Sequence, residues 1–260
     1  MRPFWVAWRV EWLKFRSAPI VWVATIVMVV IGSLVSIGGY VSATHDPSSP
    51  AAAKAKALMQ GSGWDGLFSL AAQGGGVVLG GGAGIVLAWC LGREFTEQTI
   101  VGLFAQPVPR GGIALAKMVL TLAWALGVSV VVACAVLAGG AAMGLPVADG
   151  IAPALRLVAI GLLGSLGMVP AAWVASLARG YLPGIGAVLG ITVAAQFTTA
   201  FGGGAWVPWV APTLWAGATG HAAAAQVSVL QLLLPVAIGL VSMAATLRWW
   251  EHAELGNSRG

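Results

Sequence analysis

Residues 92–117 read GREFTEQTIVGLFAQPVPRGGIALAK, and they sit between two of the most apolar stretches of the chain. They carry Arg93, Glu94, Glu97, Arg110 and Lys117, in a protein with only 13 basic and 8 acidic residues. Charge gathers where a chain leaves an apolar solvent, so the flanks of this stretch read as membrane spans and the stretch itself as the hairpin between them. Composition agrees. The chain is 59% hydrophobic and 8% charged, with mean hydropathy +0.92, whereas soluble domains are about a quarter charged. In hydrocarbon the backbone must satisfy its own hydrogen bonds, which leaves helices or a closed barrel. Barrel strands alternate over about ten residues. The apolar runs here reach about twenty residues, the length a spanning helix needs.

The expectation is an all-α integral membrane protein, a single domain over residues 1–260, with six spans near 20–41, 65–91, 113–139, 157–178, 181–201 and 228–247. An inside N-terminus puts Arg2, Arg9, Lys14, Arg16, Arg93, Arg110, Lys117, Arg179, Arg248 and Arg259 on the cytoplasmic side. Only Lys54, Lys56 and Arg156 are then outside. That asymmetry follows the positive-inside rule, so both termini and the 92–112 hairpin are expected in the cytoplasm. The net charge of +5 is thus assigned to topology, and no nucleic-acid partner is expected. YVSATHD after the first span resembles a cleavage site, but a signal peptide has an apolar core of about 7–15 residues and this one is longer.

Residues 1–18 suggest an interfacial helix. At 100° per residue Phe4, Trp5, Trp8, Trp12 and Phe15 share one arc, flanked by Arg9 and Arg16, which suits a helix lying on the inner leaflet with Trp8 and Trp12 as anchors. It is either a plain anchor or a lever that feels a cytoplasmic partner. Residues 42–63 have room for a short helix on the outer face. Gly76, Gly80 and Gly84 form a doubled small-xxx-small pattern, suited to close backbone packing or to a bend along a transport path. Residues 202–227, rich in Gly, Pro and Trp, are expected to form outer-face re-entrant helices, as an aromatic belt or a gate. Cys90 and Cys134 read as buried helix-packing residues with no metal spacing.

No Asp, Glu, Lys, Arg or His falls at mid-depth in these spans, which argues against ion-coupled transport. Asp65, Lys117 and Arg156 lie at span ends, where snorkelling is cheap. Gln73, Gln196, Gln231, Thr198 and Thr199 are the main internal polar groups. They suit interhelical hydrogen bonds, and Gln73, Gln196, Thr198 and Thr199 are also the candidates for a substrate path. Ser165 in LGSLG has no histidine placed to activate it. No G-x-x-x-x-G-K-[ST] loop is present, so no nucleotide chemistry through a P-loop is expected of this chain.

Within the opening stretch, Glu94 and Glu97 fit the first turn of a short helix, where its dipole favours acids. Pro107 and Pro109 end that helix, and Arg110 and Lys117 mark the return to the membrane. The run Arg93-Glu94 … Thr99-Ile100 … Leu103 … Gln106-Pro107-Val108 … Arg110 … Ala116-Lys117 resembles the signature of ATP-binding-cassette (ABC) type-2 permeases. VEWLKFRSAPIVW resembles the start of that family. The specific motifs cover about forty residues, and Gln98 departs from them where the family often has glycine.

The resemblance implies half of a transporter: this subunit pairs with itself or a sister permease and docks two copies of a separate ABC ATPase. ATP and Mg would then be bound by that partner, with no cofactor on this chain. It also implies a coupling helix between the second and third spans, with Arg93, Glu94, Glu97, Thr99, Leu103 and Arg110 toward the ATPase and Lys117 as an inner-face anchor. The expected activity is export of an amphiphile (a drug, antimicrobial peptide or lipid-like molecule) across a bacterial cytoplasmic membrane. A membrane signalling protein docking a non-ATPase partner and an ion-coupled secondary transporter are the alternatives.

Overall fold

In the computed structural model, residues 2–45, 49–105, 108–202 and 204–253 are described, and among them there is no strand. Gln106 and Pro107 of the hairpin motif lie outside the described residues, as do Arg259 and the side chains of Arg2 and Phe4. The chain runs through α1 (Arg2–Ser17), α2 (Pro19–His45), α3 (Pro50–Leu58), α4 (Gly63–Gly75), a π-helical segment (Gly76–Gly81) and α5 (Gly82–Thr96). It continues through α6 (Ile100–Phe104), α7 (Arg110–Ala142), α8 (Val147–Gly167), α9 (Val169–Leu177) and α10 (Tyr181–Ala200). The last elements are α11 (Ala211–Trp215), α12 (His221–Ala225) and α13 (Val229–His252). Six stretches are long and apolar enough to cross a membrane: Pro19–His45, Gly63–Thr96, Arg110–Ala142, Val147–Leu177, Tyr181–Ala200 and Val229–His252.

The fourth span begins at Val147, ten residues before the apolar run suggests. VADGIAPALR contains Asp149 and Arg156, yet the backbone is already helical there. Hydropathy marks where the solvent changes, whereas helical hydrogen bonding continues into the interface. That span breaks at Met168, because Pro170 in the first turn of α9 cannot donate to the helix before it. The 202–227 stretch supplies α11 and α12, each five residues long, and α3 is capped by the Ser49 hydroxyl accepting from the Ala52 amide.

The glycine pattern of the second span is used at three different contacts, with Gly84 packed against Met168 and Val188. A Cβ on Gly80 would lie 3.4 Å from the backbone of Gly164, so the π-helical segment and α8 meet backbone to backbone. A Cβ on Gly76 would collide with the Thr213 side chain of α11. π-helical turns recur at functional sites, and this one lines a cavity described below.

Two large cores stack along the bundle. One joins Trp64, Leu67, Phe68, Val132 and Val136 near α3 and α11. The other joins Phe15, Val86, Leu91, Leu103 and Trp250 near α1 and α6. The outer faces remain apolar, as lipid-facing helices require: Trp22 and Leu34 on α2 and Leu182 and Phe197 on α10 are exposed. Cys90 is buried, but Cys134 is exposed on α7, which corrects the expectation that both pack inside.

Candidate functional site

The end of the bundle that carries α1, α6 and the close of α13 is held by a buried ionic network. Lys117 Nζ lies 2.8 Å from Glu11 Oε2 and 2.9 Å from Glu94 Oε1. Lys14 Nζ bridges the same two carboxylates, at 3.0 Å from Glu11 and 3.4 Å from Glu94. Thr99 Oγ1 donates to Glu94 Oε2 at 2.5 Å, and Arg93 Nε stands 3.6 Å from Glu94. Glu11, Glu94 and Lys117 are each at most 4% exposed. Helices α1, α5 and α7 are therefore tied together through charge.

This arrangement changes two expectations. Lys117 does not snorkel from a span end; it is enclosed in protein and paired on two sides. Glu94 does not open the short helix. It sits in the last turn of α5, Glu97 is the residue that caps α5, and α6 starts only at Ile100. On α1 the stripe that faces protein is Ala7, Glu11 and Phe15, spaced four apart, and it shares Phe15 with the aromatic arc. Trp5 and Trp12 face outward, at 61% and 47% exposed, and Trp8 is half-buried.

Glu11 and Lys14 escaped the sequence reading of the site. A signal was present: Glu11 is the only acidic residue in the first 45. A lone acid on an otherwise basic first helix has a reason to face a basic partner within the protein.

The turn between α5 and α6 places Gln98 at φ +58°, a left-handed conformation. Helices often end this way, usually at glycine, and here a glutamine takes that conformation. Beyond it α6 rests on an aromatic seat. Trp250 is fully buried, and Phe95 and Phe104 meet its ring edge-on at 5.7 and 5.8 Å. Trp250 Nε1 donates to Ser176 Oγ at 2.9 Å, which ties α13 to α9. Arg110 lies 4.1 Å over the Phe104 ring and donates to the Ala253 carbonyl at 2.9 Å. Arg93 covers Trp89 at 4.6 Å.

The expected contact residues thus divide. Leu103 and Glu94 are buried, Arg93 and Arg110 are half-buried, and Glu97 and Thr99 are exposed beside Gln98, Val101 and Gly102. Those five residues form an outward ridge on a base fixed by ions and aromatic rings.

At the opposite end, near α3 and α11, a cavity of about 440 Å³ opens between α4, the π-helical segment, α10 and α11. Gln73, Gln196 and Thr199 line it, and Thr198 does not. Among the described residues no charged one contributes to its wall. Gln73 Nε2 donates to the carbonyls of Leu58 and Ala218, both at 2.9 Å, and Ser69 at 3.2 Å. It clamps the α3 connection and the α11 connection to α4. Trp209, also on the wall, donates to the Gly167 carbonyl at 2.7 Å, at the break between α8 and α9. Gln231 is taken up in capping α13 through Ser228. Ser165 is buried and donates to Gly161. Among the described residues no group of His, Cys, Asp or Glu could hold a metal ion.

The family described as ABC-2 family transporter protein matches residues 7–196, which take in α1, the ionic network, α6 and most of the cavity wall. No curated protein and no solved structure matches the chain.

Proposed function

This chain belongs to the ABC-2 family of transporter proteins, and we propose that it works as the gate half of an exporter driven by a separate ATP-hydrolysing subunit. Membership makes it a multi-pass membrane permease. Our reading adds the direction, the docking face and the cargo: an amphiphile moved outward across a bacterial cytoplasmic membrane.

One observation carries it. The exposed ridge Glu97–Gly102 stands on a base that α1, α5, α7 and α13 hold from every side. A loop that only joins two spans needs no such seat; a surface that receives force does. A load on α6 passes to α5 through Thr99 and Glu94, and through Lys117 to α7 and Glu11 to α1. The orientation in which this end is cytoplasmic also satisfies the positive-inside asymmetry. Nucleotide chemistry falls to the partner, since no P-loop occurs in this sequence. Two ATPase copies and a second permease copy or sister would complete the particle.

Paired ATPase assays test it. Glu97→Ala with Val101→Ala, on the ridge, should lower substrate-stimulated ATPase activity of the reconstituted complex several-fold at unchanged membrane insertion. Full activity at matched expression would remove the ridge from the docking role.

A further inference from the structure

The cavity near α11 has a polarity that its residue types do not announce. Glutamine and threonine can each donate and accept hydrogen bonds, but here most of the donors are committed to the protein. Thr192, Thr199 and Thr213 donate to the carbonyls of Val188, Ala195 and Val210 at 2.8, 2.9 and 2.8 Å. Three carbonyl oxygens surround the Gln73 amide nitrogen, so both of its protons are engaged and only its oxygen is unspoken for. What these half-buried groups retain is lone pairs. The side-chain amide of Gln196 and the hydroxyl of Thr219 make no hydrogen bond to described residues, and both belong to exposed positions of the wall.

A second hollow, of about 390 Å³, adjoins this one. It lies between α2, the π-helical segment and α10, and Val77 and Thr192 belong to both. Its wall is aliphatic apart from Thr192 and includes Val23, Val27, Met28 and Leu189. The two hollows together present an acceptor-rich half and an apolar half that meet at one threonine.

We infer that the cargo is an uncharged amphiphile whose polar end donates hydrogen bonds, as hydroxyl or amide N–H groups do, with that end among Gln73, Thr199 and Thr213 and its apolar chain between α2 and α10. An anionic head would meet lone pairs, with no lysine or arginine on the wall among the described residues. A cationic head would lose its hydration, with no carboxylate among the described wall residues to replace it. A head that only accepts hydrogen bonds would find uncommitted donors only at the exposed Gln196 and Thr219, and at Thr192, Thr199 and Thr213 it would have to displace a carbonyl partner. Apolar volume is supplied next door, so chain length and head chemistry are sorted in separate compartments. This inference rests on the exporter reading for its physiological meaning, but the binding chemistry stands on the cavity wall.

The test uses the full chain in lipid nanodiscs, with empty nanodiscs as the control for partitioning, and three probes of equal alkyl length. One has a polyhydroxylated uncharged head, one has the same head fully O-methylated, and one has a sulfate head. The hydroxylated probe should bind saturably and at least about tenfold more tightly than the other two, the discrimination expected when one or two hydrogen bonds are lost. Thr192→Val and Thr199→Val, which keep shape but remove the acceptor, should weaken the hydroxylated probe by about three- to tenfold and leave the methylated probe unchanged. Equal binding of methylated or sulfated probes to the unaltered chain would overturn the inference, whatever the variants do, and so would saturable binding of none of them. The same probes added to the reconstituted complex separate the two readings. Selective binding with no stimulation of ATPase activity by the hydroxylated probe leaves the cavity chemistry standing and removes the ATP-driven exporter, whereas ATPase stimulation that ignores head chemistry does the reverse.

Discussion

The two ends of this bundle solve opposite problems with the same scarcity of polar residues. At the α1–α6 end, two acids and three bases converge, with Glu11, Glu94 and Lys117 sealed from solvent. At the α3–α11 end the cavity wall has no charged residue among the described ones, and its polar groups are largely turned onto neighbouring carbonyls. Buried ion pairs add little net stability compared with apolar packing, but a pair that loses one member is strongly destabilised. Such a network resists partial rearrangement, which suits a part that must move as a block. Threonines bonded to their own helix constrain no neighbouring element, which suits walls that must shift past a cargo. The comparison teaches where ionic rigidity is placed: beneath the exposed ridge, whereas the cavity wall is tied to neighbouring elements by the neutral hydrogen bonds of Gln73 and Trp209.

The most severe way to break this contrast is to orphan the buried charge. Lys117→Met leaves Glu11 and Glu94 enclosed with only Lys14 and Arg93 nearby. It should destabilise the protein by about 3–5 kcal/mol in thermal or denaturant unfolding in detergent. Neutralising the partners as well, with Glu11→Gln and Glu94→Gln, should recover more than half of that loss. A milder effect is expected where α5 touches the α9–α10 turn. A Cβ on Gly92 would collide with the backbone of Tyr181, so Gly92→Ala should cost about 1–3 kcal/mol in the same assay.

Smaller again is the turn before α6. Gln98 holds φ +58°, which disfavours a side chain by about 1 kcal/mol, so Gln98→Gly should raise the melting temperature slightly and Gln98→Val should lower it. Smallest on stability is Glu97→Ala on the exposed ridge, expected within about 0.5 kcal/mol of the parent. Its effect belongs in ATPase stimulation instead. A ridge variant that unfolds the protein, or a Lys117 variant that does not, would erase the distinction drawn between base and surface.

Much of this was legible in the sequence, for identifiable reasons. The six spans follow from length and hydropathy, because the bilayer sets both. The hairpin at 92–117 follows from charge that hydrocarbon does not tolerate. What one sequence did not disclose is pairing across distance: Lys117 is 106 positions from Glu11 in a chain where both also suit an interface. The start of the fourth span at Val147 was missed because Asp149 and Arg156 lower hydropathy without interrupting the helix. Glu94 and Glu97 look equivalent as two acids three apart. Only the end of α5 between them separates a buried lock residue from an exposed one.

Site-directed cross-linking puts the account at greatest risk. Single cysteines at Val101, on the ridge, and at Lys54, exposed on α3 at the opposite end, would be introduced after replacing Cys90 and Cys134. Val101→Cys should cross-link to the ATP-hydrolysing subunit, with a yield that changes on adding ATP, and Lys54→Cys should not. A subunit that co-purifies but cross-links from Lys54 and not from Val101 would contradict the docking of the motor beneath α6.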